Sequence, residues 1–312
     1  MSIVVIGIGG GAGKAINHML DSGFDSVDYI AIDTDKQALE ESKARTVIQI
    51  GKNDAFDFDA HTDSDMLGNT ADENCEEVLK AVRGAGIVII LAGMGGGTGT
   101  NAVSAISDIV KQAGILTIAI VTKPFSFEKK IRQVHADNGI AALKTHCDSL
   151  IVISSYKLGE VEAQDNVTIL QQFRLLDDHI FRSIQGISGI LEPRGLLYHA
   201  FDVGNFKIIL KDAGATFIGS GRAAGAYRAI EAAKKAARNQ LSDMSIGGAK
   251  YVIILVAGDV DLGIDEVEYA VKAVDEIADK DAVVFFDAAF NDALENKIEV
   301  TILAAGYRSD SE

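Results

Sequence analysis

Short runs of β-branched and other apolar residues alternate with longer stretches of helical periodicity through the first half of the chain. The runs at 3–6, 29–32, 47–50, 87–92, 116–121 and 150–153 predict strands, and the segments 13–20, 35–41, 71–83, 100–112 and 127–145 predict helices. Strand and helix in regular alternation make a parallel sheet with crossover helices, whose ligands sit at the carboxyl ends of the strands. Residues 166–187 form one long amphipathic pattern, with Val167, Leu170, Phe173, Leu176, Ile180 and Ile184 at three- and four-residue spacing. After a loop at 193–205 the pattern becomes strand 215–219, helix 223–241, strand 251–257, helix 265–278 and strands 282–286 and 297–304. The last two strands, joined by a short polar segment, predict a hairpin and hence a smaller mixed sheet. The expected architecture is α/β: a Rossmann-like parallel-sheet domain over 1–165, a central connecting helix over 166–190, and a smaller C-terminal α/β domain with a mixed sheet over 191–312.

Composition narrows the function more than the fold. With 48% hydrophobic residues in 312, the chain can bury a substantial core, which excludes disorder. The 29 basic and 45 acidic residues leave a net charge of −16, which argues against a nucleic-acid partner. Cys75 and Cys147 have no metal-binding or disulfide spacing and read as core residues of a reducing compartment. The first residues run directly from a strand into glycines without the charged and apolar regions of a signal peptide, and no apolar run approaches the ~20 residues of a membrane span. A cytoplasmic protein with no direct membrane insertion is the expectation.

Candidate chemistry lies in the glycines. Gly7-Ile8-Gly9-Gly10-Gly11-Ala12-Gly13 stands between the first strand and the first helix. Glycines there let the backbone approach a phosphate, and the helix start offers unpaired N–H groups and a favourable dipole. A P-loop would need Gly at position 8 and Ser or Thr after Lys14, and the chain has Ile8 and Ala15. A dinucleotide fingerprint fits better, with Gly7, Gly9, Ala12 and then Asp33 at the end of the second strand. That would make the chain a nicotinamide-dependent dehydrogenase. A second segment, Gly93-Met94-Gly95-Gly96-Gly97-Thr98-Gly99-Thr100-Asn101, follows a buried strand and again opens a helix. One pyrophosphate needs one such cradle, whereas a triphosphate gripped from both sides needs two, so the dehydrogenase ranks a distant third.

At these residues the sequence resembles the tubulin and FtsZ superfamily, whose signature is GGGTGTG followed by a small residue; here Gly95 to Thr100 match and Asn101 departs. The resemblance continues at Asp33-Thr34-Asp35-Lys36-Gln37-Ala38-Leu39, at Val121-Thr122-Lys123-Pro124-Phe125-Ser126-Phe127-Glu128 through Arg132, at Gln185-Gly186-Ile187 and at Phe217-Ile218-Gly219-Ser220-Gly221, with FtsZ the nearest branch. It implies a GTP-binding first domain in which Gly9, Gly10, Gly11, Lys14 and Asp33 from one segment and Gly95, Gly96, Gly97, Thr98, Gly99 and Thr100 from the other surround the nucleotide. By the same resemblance Glu128 and Arg132 contact sugar and phosphate, and Phe173 and Asp178 meet guanine. GTP or GDP is the expected ligand, with Mg2+ and with room for a monovalent cation. The family assembles head to tail, and a loop pattern NxDFAD of one subunit completes the hydrolytic site of the next.

The resemblance thus implies a bacterial, cell-division FtsZ-type GTPase that forms filaments with itself. The loop counterpart, Gly195 to Phe206, is about two residues longer than the family pattern. Aligned from its right end, the two catalytic acids become Asp202 and Asn205; aligned from the left, neither keeps register. With at most one carboxylate, turnover is expected to be slow. A GTP-binding paralogue that hydrolyses weakly or not at all, as a structural or regulatory filament component alone or with another FtsZ, is the alternative. The tract at 54–65, with Asp57, Asp59, Asp63 and Asp65, replaces a Gly-Ala-rich loop of the family, and Lys14 replaces an Asn. No adaptor-binding peptide is visible before the sequence stops at Glu312.

Overall fold

A computed structural model describes residues 2–51, 74–157, 168–191, 203–239 and 241–307. The chain divides into two compact units, Met1–Phe181 and Arg182–Glu312.

In the first unit the parallel strands β1 (Ser2–Ile8), β2 (Asp28–Asp33), β3 (Thr46–Gln49), β4 (Ala85–Gly93), β5 (Leu116–Lys123) and β6 (Ser149–Ser154) stand in the order β3-β2-β1-β4-β5-β6. Helices α1 (Gly9–Asp21), α2 (Lys36–Glu40), α3 (Cys75–Ala81), α4 (Gly97–Gln112) and α5 (Lys130–Leu143) provide the crossovers. The continuous apolar runs in β1 and β4 are what central strands covered on both faces require. Those two pair with Ile6 opposite Ile90. Helix α1 buries Ala12, Ala15, Ile16 and Met19, and α4 buries Ala102, Val103, Ile106 and Val110, each along one stripe. Both helices begin earlier than periodicity predicts, because the glycines are included in their first turns. Cys147 is buried, and burial pushes its thiol up to about 12, in keeping with a packing role.

Helix α6 (Ile169–Leu191) follows, and the boundary between the units falls inside it. The second unit continues with α7 (Val203–Leu210), the two-residue β7 (Gly214–Ala215), β8 (Phe217–Ala224), α8 (Arg228–Ala237), β9 (Tyr251–Gly258), α9 (Ile264–Asp275), β10 (Val283–Phe290) and β11 (Lys297–Ala305). Its mixed sheet has the order β10-β9-β11-β8. Helix α8 lays Ala229, Ala232, Ala233 and Ala236 on this sheet. The helix approaches so closely that a Cβ at Gly219 would stand 2.0 Å from the Ala236 carbonyl oxygen.

The predicted hairpin does not form. Strand β10 pairs in parallel with β9, whereas β11 lies antiparallel between β9 and β8. The burial patterns give the reason. All but the first residue of β11 is buried and demands a neighbour on each side, while β10 is partly exposed along most of its length and suits an edge. The chain leaving β10 turns past the end of β9, where Asn291 N–H donates to Gly258 O at 2.8 Å, and returns on its far side. The helix predicted from 223 starts only at Arg228, since β8 continues to Ala224 opposite Lys297. Among the described residues, no helix is long and apolar enough to cross a membrane.

Candidate functional site

The strand order reverses between β1 and β4, and both glycine segments stand at the carboxyl ends of these strands. Residue Ile8 precedes α1 and Gly96 precedes α4, and neither supplies a side-chain cap. The first-turn N–H groups of both helices have no intrahelical acceptor, and each helix dipole adds partial positive charge at the same end. Both starts line one cleft of about 730 Å3. Gly9 has φ +82, and a Cβ there would come within 3.2 Å of Gly99 N, so the two segments touch along a seam that side chains would force apart. At Gly11 a Cβ would meet nothing within 4 Å, so this part of the cradle opens to the cleft.

Of the residues anticipated from sequence, Gly9, Gly10, Gly11, Lys14, Gly96, Gly97, Thr98, Gly99, Glu128, Arg132 and Phe173 line the cleft. Glu128 accepts from Phe125 N at 2.9 Å through one oxygen, and its other oxygen forms an ion pair with Arg132 Nε at 3.1 Å. The carboxylate thereby fixes both the turn before α5 and the guanidinium, which remains 45% exposed. Phe173 on α6 is half-exposed and packs T-shaped against the buried Phe125, with centroids 4.9 Å apart.

Four anticipated residues stand behind this lining. Asp33 is buried, and one oxygen accepts from Thr34 N and Asp35 N at 2.8 and 3.2 Å. Burial holds its carboxyl above the usual range despite those donors. Its other oxygen would lie 3.9 Å from a Cβ added at Gly10, and Asp33 is not part of the cleft lining. The Thr34 and Thr98 hydroxyls, 2.8 Å apart, tie this stretch to the second segment. The Thr100 hydroxyl is engaged by Gly95 N–H at 2.8 Å and closes the second loop internally.

Asp178 accepts from His18 Nε2 at 2.8 Å and is not part of the lining; its neighbour Asp177 is. Burial raises the Asp177 carboxyl to about 6, with His18 and Lys14 pulling it down and Asp178 pushing it up. Sequence reasoning missed Asp177, yet the signal was present. On a helix, Phe173 and Asp177 are four apart and share a face, whereas five residues carry Asp178 round to another. Asp202 and the tract at 54–65 lie outside the described residues. Asn205 is exposed in the first turn of α7, in the second unit. Among the described residues, no cluster of three or more His, Cys, Asp or Glu side chains could hold a metal ion. Lys14, Lys123, Arg132 and Arg174 line the cleft together with the backbone N–H groups of the glycine segments, a set suited to phosphate oxygens.

A model of the Tubulin/FtsZ family GTPase domain matches residues 2–162, and one of the FtsZ family C-terminal domain matches residues 214–308. Among solved structures, the chain is similar to an empty FtsZ dimer from M. jannaschii, with 32% identity over 98% of this chain and 88% of that one and a TM-score of 0.89. It shares its fold with CetZ1 from Haloferax volcanii, a GDP-bound monomer, at 18% identity, 100% and 96% coverage and a TM-score of 0.79. It shares it also with CetZ2 from the same organism, a GTPγS-bound protofilament, at 18% identity, 100% and 95% coverage and a TM-score of 0.76.

Proposed function

Because the chain belongs to the tubulin/FtsZ family of GTPases, we propose that it binds GTP in the cleft between α1 and α4 and polymerises head to tail. Hydrolysis then takes place at the subunit junction, and the role in the cell is that of a cytoskeletal, division-type filament. The observation that carries this reading is the pair of uncapped, glycine-built helix starts that open on one cleft. Two such starts offer backbone donors to a chain of phosphates from both sides, and neither depends on the net charge of the protein.

In this proposal Gly9 to Gly11 and Gly96 to Gly99 hold the phosphates, with Lys14 and Arg132 neutralising their charge. Glu128 orients Arg132 and accepts from sugar hydroxyls through its remaining lone pairs. Phe173 stacks on the base. Asp177, in place of Asp178, accepts from the ring N–H and exocyclic amine of guanine, which adenine cannot offer in that pattern. A divalent cation such as Mg2+ arrives with the triphosphate and balances its charge, as a cation that keeps several waters and few protein ligands usually does. Asp202 orients the attacking water in the cleft of the neighbouring subunit, and Asn205 assists by hydrogen bonding without carrying charge. The replacement of an acid by Asn205 also favours a second reading, in which the chain is a filament component with little turnover.

A titration with guanine and adenine nucleotides tests the binding step: preference for guanine is expected, and equal affinity overturns the proposal. Sedimentation and negative-stain imaging with GTP, GDP and a slowly hydrolysed analogue test assembly. Phosphate release that rises steeply with protein concentration and is lost in Asp202→Ala, while polymers persist, supports junctional hydrolysis. Absence of release at any concentration supports the second reading.

A further inference from the structure

Asn101 occupies the last position of the glycine–threonine signature and is absent from the cleft lining. Its Oδ1 lies 3.2 Å from Nε2 of His135 on the adjacent helix α5. An amide oxygen can only accept, so the imidazole carries a proton on Nε2 and donates. The other ring nitrogen is buried and has no hydrogen-bond partner among the described residues, so the bond to Asn101 orients the ring.

Arg132, His135 and Gly139 recur at intervals of three and four and form one stripe along α5. Each meets the second glycine segment or the first turns of α4. A Cβ at Gly95, which has φ +91, would stand 2.6 Å from the Arg132 carbonyl oxygen, and one at Gly139 would stand 2.5 Å from Thr100 Cγ2. Between these two close contacts lies the Asn101–His135 bond. Steric contact at the ends of the stripe limits how near the helices come. The directional hydrogen bond fixes the register of α5 along α4, and with it the place of the Arg132 guanidinium beside Gly96.

We propose that the Asn101–His135 hydrogen bond is a positioning latch that holds Arg132 at the mouth of the cleft. Asn101 and His135 thereby set affinity for the phosphate end of the nucleotide without touching it. The proposal rests on the reading of the cleft as a GTP site.

Full-length protein titrated with GTP and with guanosine tests it. His135→Ala and Asn101→Gly each weaken GTP binding by about three- to tenfold, the range of one hydrogen bond, and leave guanosine binding unchanged. In an Arg132→Ala background neither produces a further loss. His135→Gln, which retains an N–H donor, and Asn101→Asp, which retains the acceptor, recover most of the affinity; thermal melts confirm that each variant is folded, and the Asn101 pair decides the matter where His135→Ala is not. An equal loss in the Arg132→Ala background, a parallel loss for guanosine, or no loss at all overturns the latch. Wild-type protein that binds no guanine nucleotide overturns the GTP reading and the latch with it.

Discussion

Lowering the pH from 7 to 5 protonates Asp177 and removes the acceptor that our proposal assigns to guanine. Burial, the largest influence, sets its midpoint at about 6, with His18 and Lys14 opposing and Asp178 reinforcing. Protonation turns one carboxyl oxygen into a donor, so only the ionised group offers both oxygens to a pair of N–H donors. A midpoint near 6 leaves about nine-tenths of the group ionised at pH 7 and about one-tenth at pH 5, so GTP affinity falls by about tenfold over that interval. The effect on the ligand-free protein has the opposite sign. A carboxyl whose folded pKa is raised contributes stability that is full below the unfolded value, near 4, and is lost as the pH rises through about 6. Fluorescence titrations with GTP and ATP at pH 5, 6 and 7 provide the measurement. Asp177→Asn is expected to bind GTP weakly at pH 7 and to lose the pH dependence, while Asp178→Asn, which breaks the pair with His18 and removes the charge that pushes Asp177 up, keeps a pH dependence displaced to lower pH. A flat profile in the wild type, or an unchanged profile in Asp177→Asn, refutes the reasoning.

Three further outcomes are expected. Gly99→Ala places a Cβ 2.6 Å from the Gly93 carbonyl oxygen, a backbone atom that cannot swing aside, so it costs about 1–3 kcal/mol in a denaturant melt and at least about tenfold in GTP affinity. Arg228, buried in the second unit, donates to both Glu266 oxygens, to Asp261 and to the Asn296 carbonyl, so Arg228→Ala is expected to lower stability by about 3 kcal/mol. Hydrogen bonding from Arg228 holds the Glu266 carboxyl below its usual range, so its stabilisation is present above the ordinary carboxylate pKa and fades as the pH falls through the folded value; acid melts show this limb in the wild type and not in Arg228→Ala. Asn205→Asp restores a second loop carboxylate and raises the rate of phosphate release at saturating GTP; an unchanged rate removes Asn205 from the chemistry.

Much of this was legible because it depends on local rules. The β-branched runs of β1 and β4 are buried on both faces and could only be central strands, and the glycines after them could only be sharp turns into helices. What escaped depends on neighbours distant in sequence. That β10 and β11 are not partners follows from β8 and β9 competing for β11, a contest invisible to a pattern read along the chain. Asp33 and Thr100, named by motif, stand behind the cleft lining, where nearby backbone N–H groups donate to them. Asp177 was the exception, since helical geometry alone separates it from Asp178.

The position of β11 bears on how the second unit comes to be made. It is the last strand in the described chain, yet it fills the gap between β8 and β9 and supplies antiparallel partners to both. Until translation has passed Ala305, neither of those strands has its inner neighbour, and the alanine face of α8 has no Ile298, Val300 or Ile302 to rest on. A nascent chain released before Ile298 would carry two bare, apolar strand edges of the kind that invite pairing with other chains. Synthesis through β11 therefore sets the earliest moment at which this unit can fold.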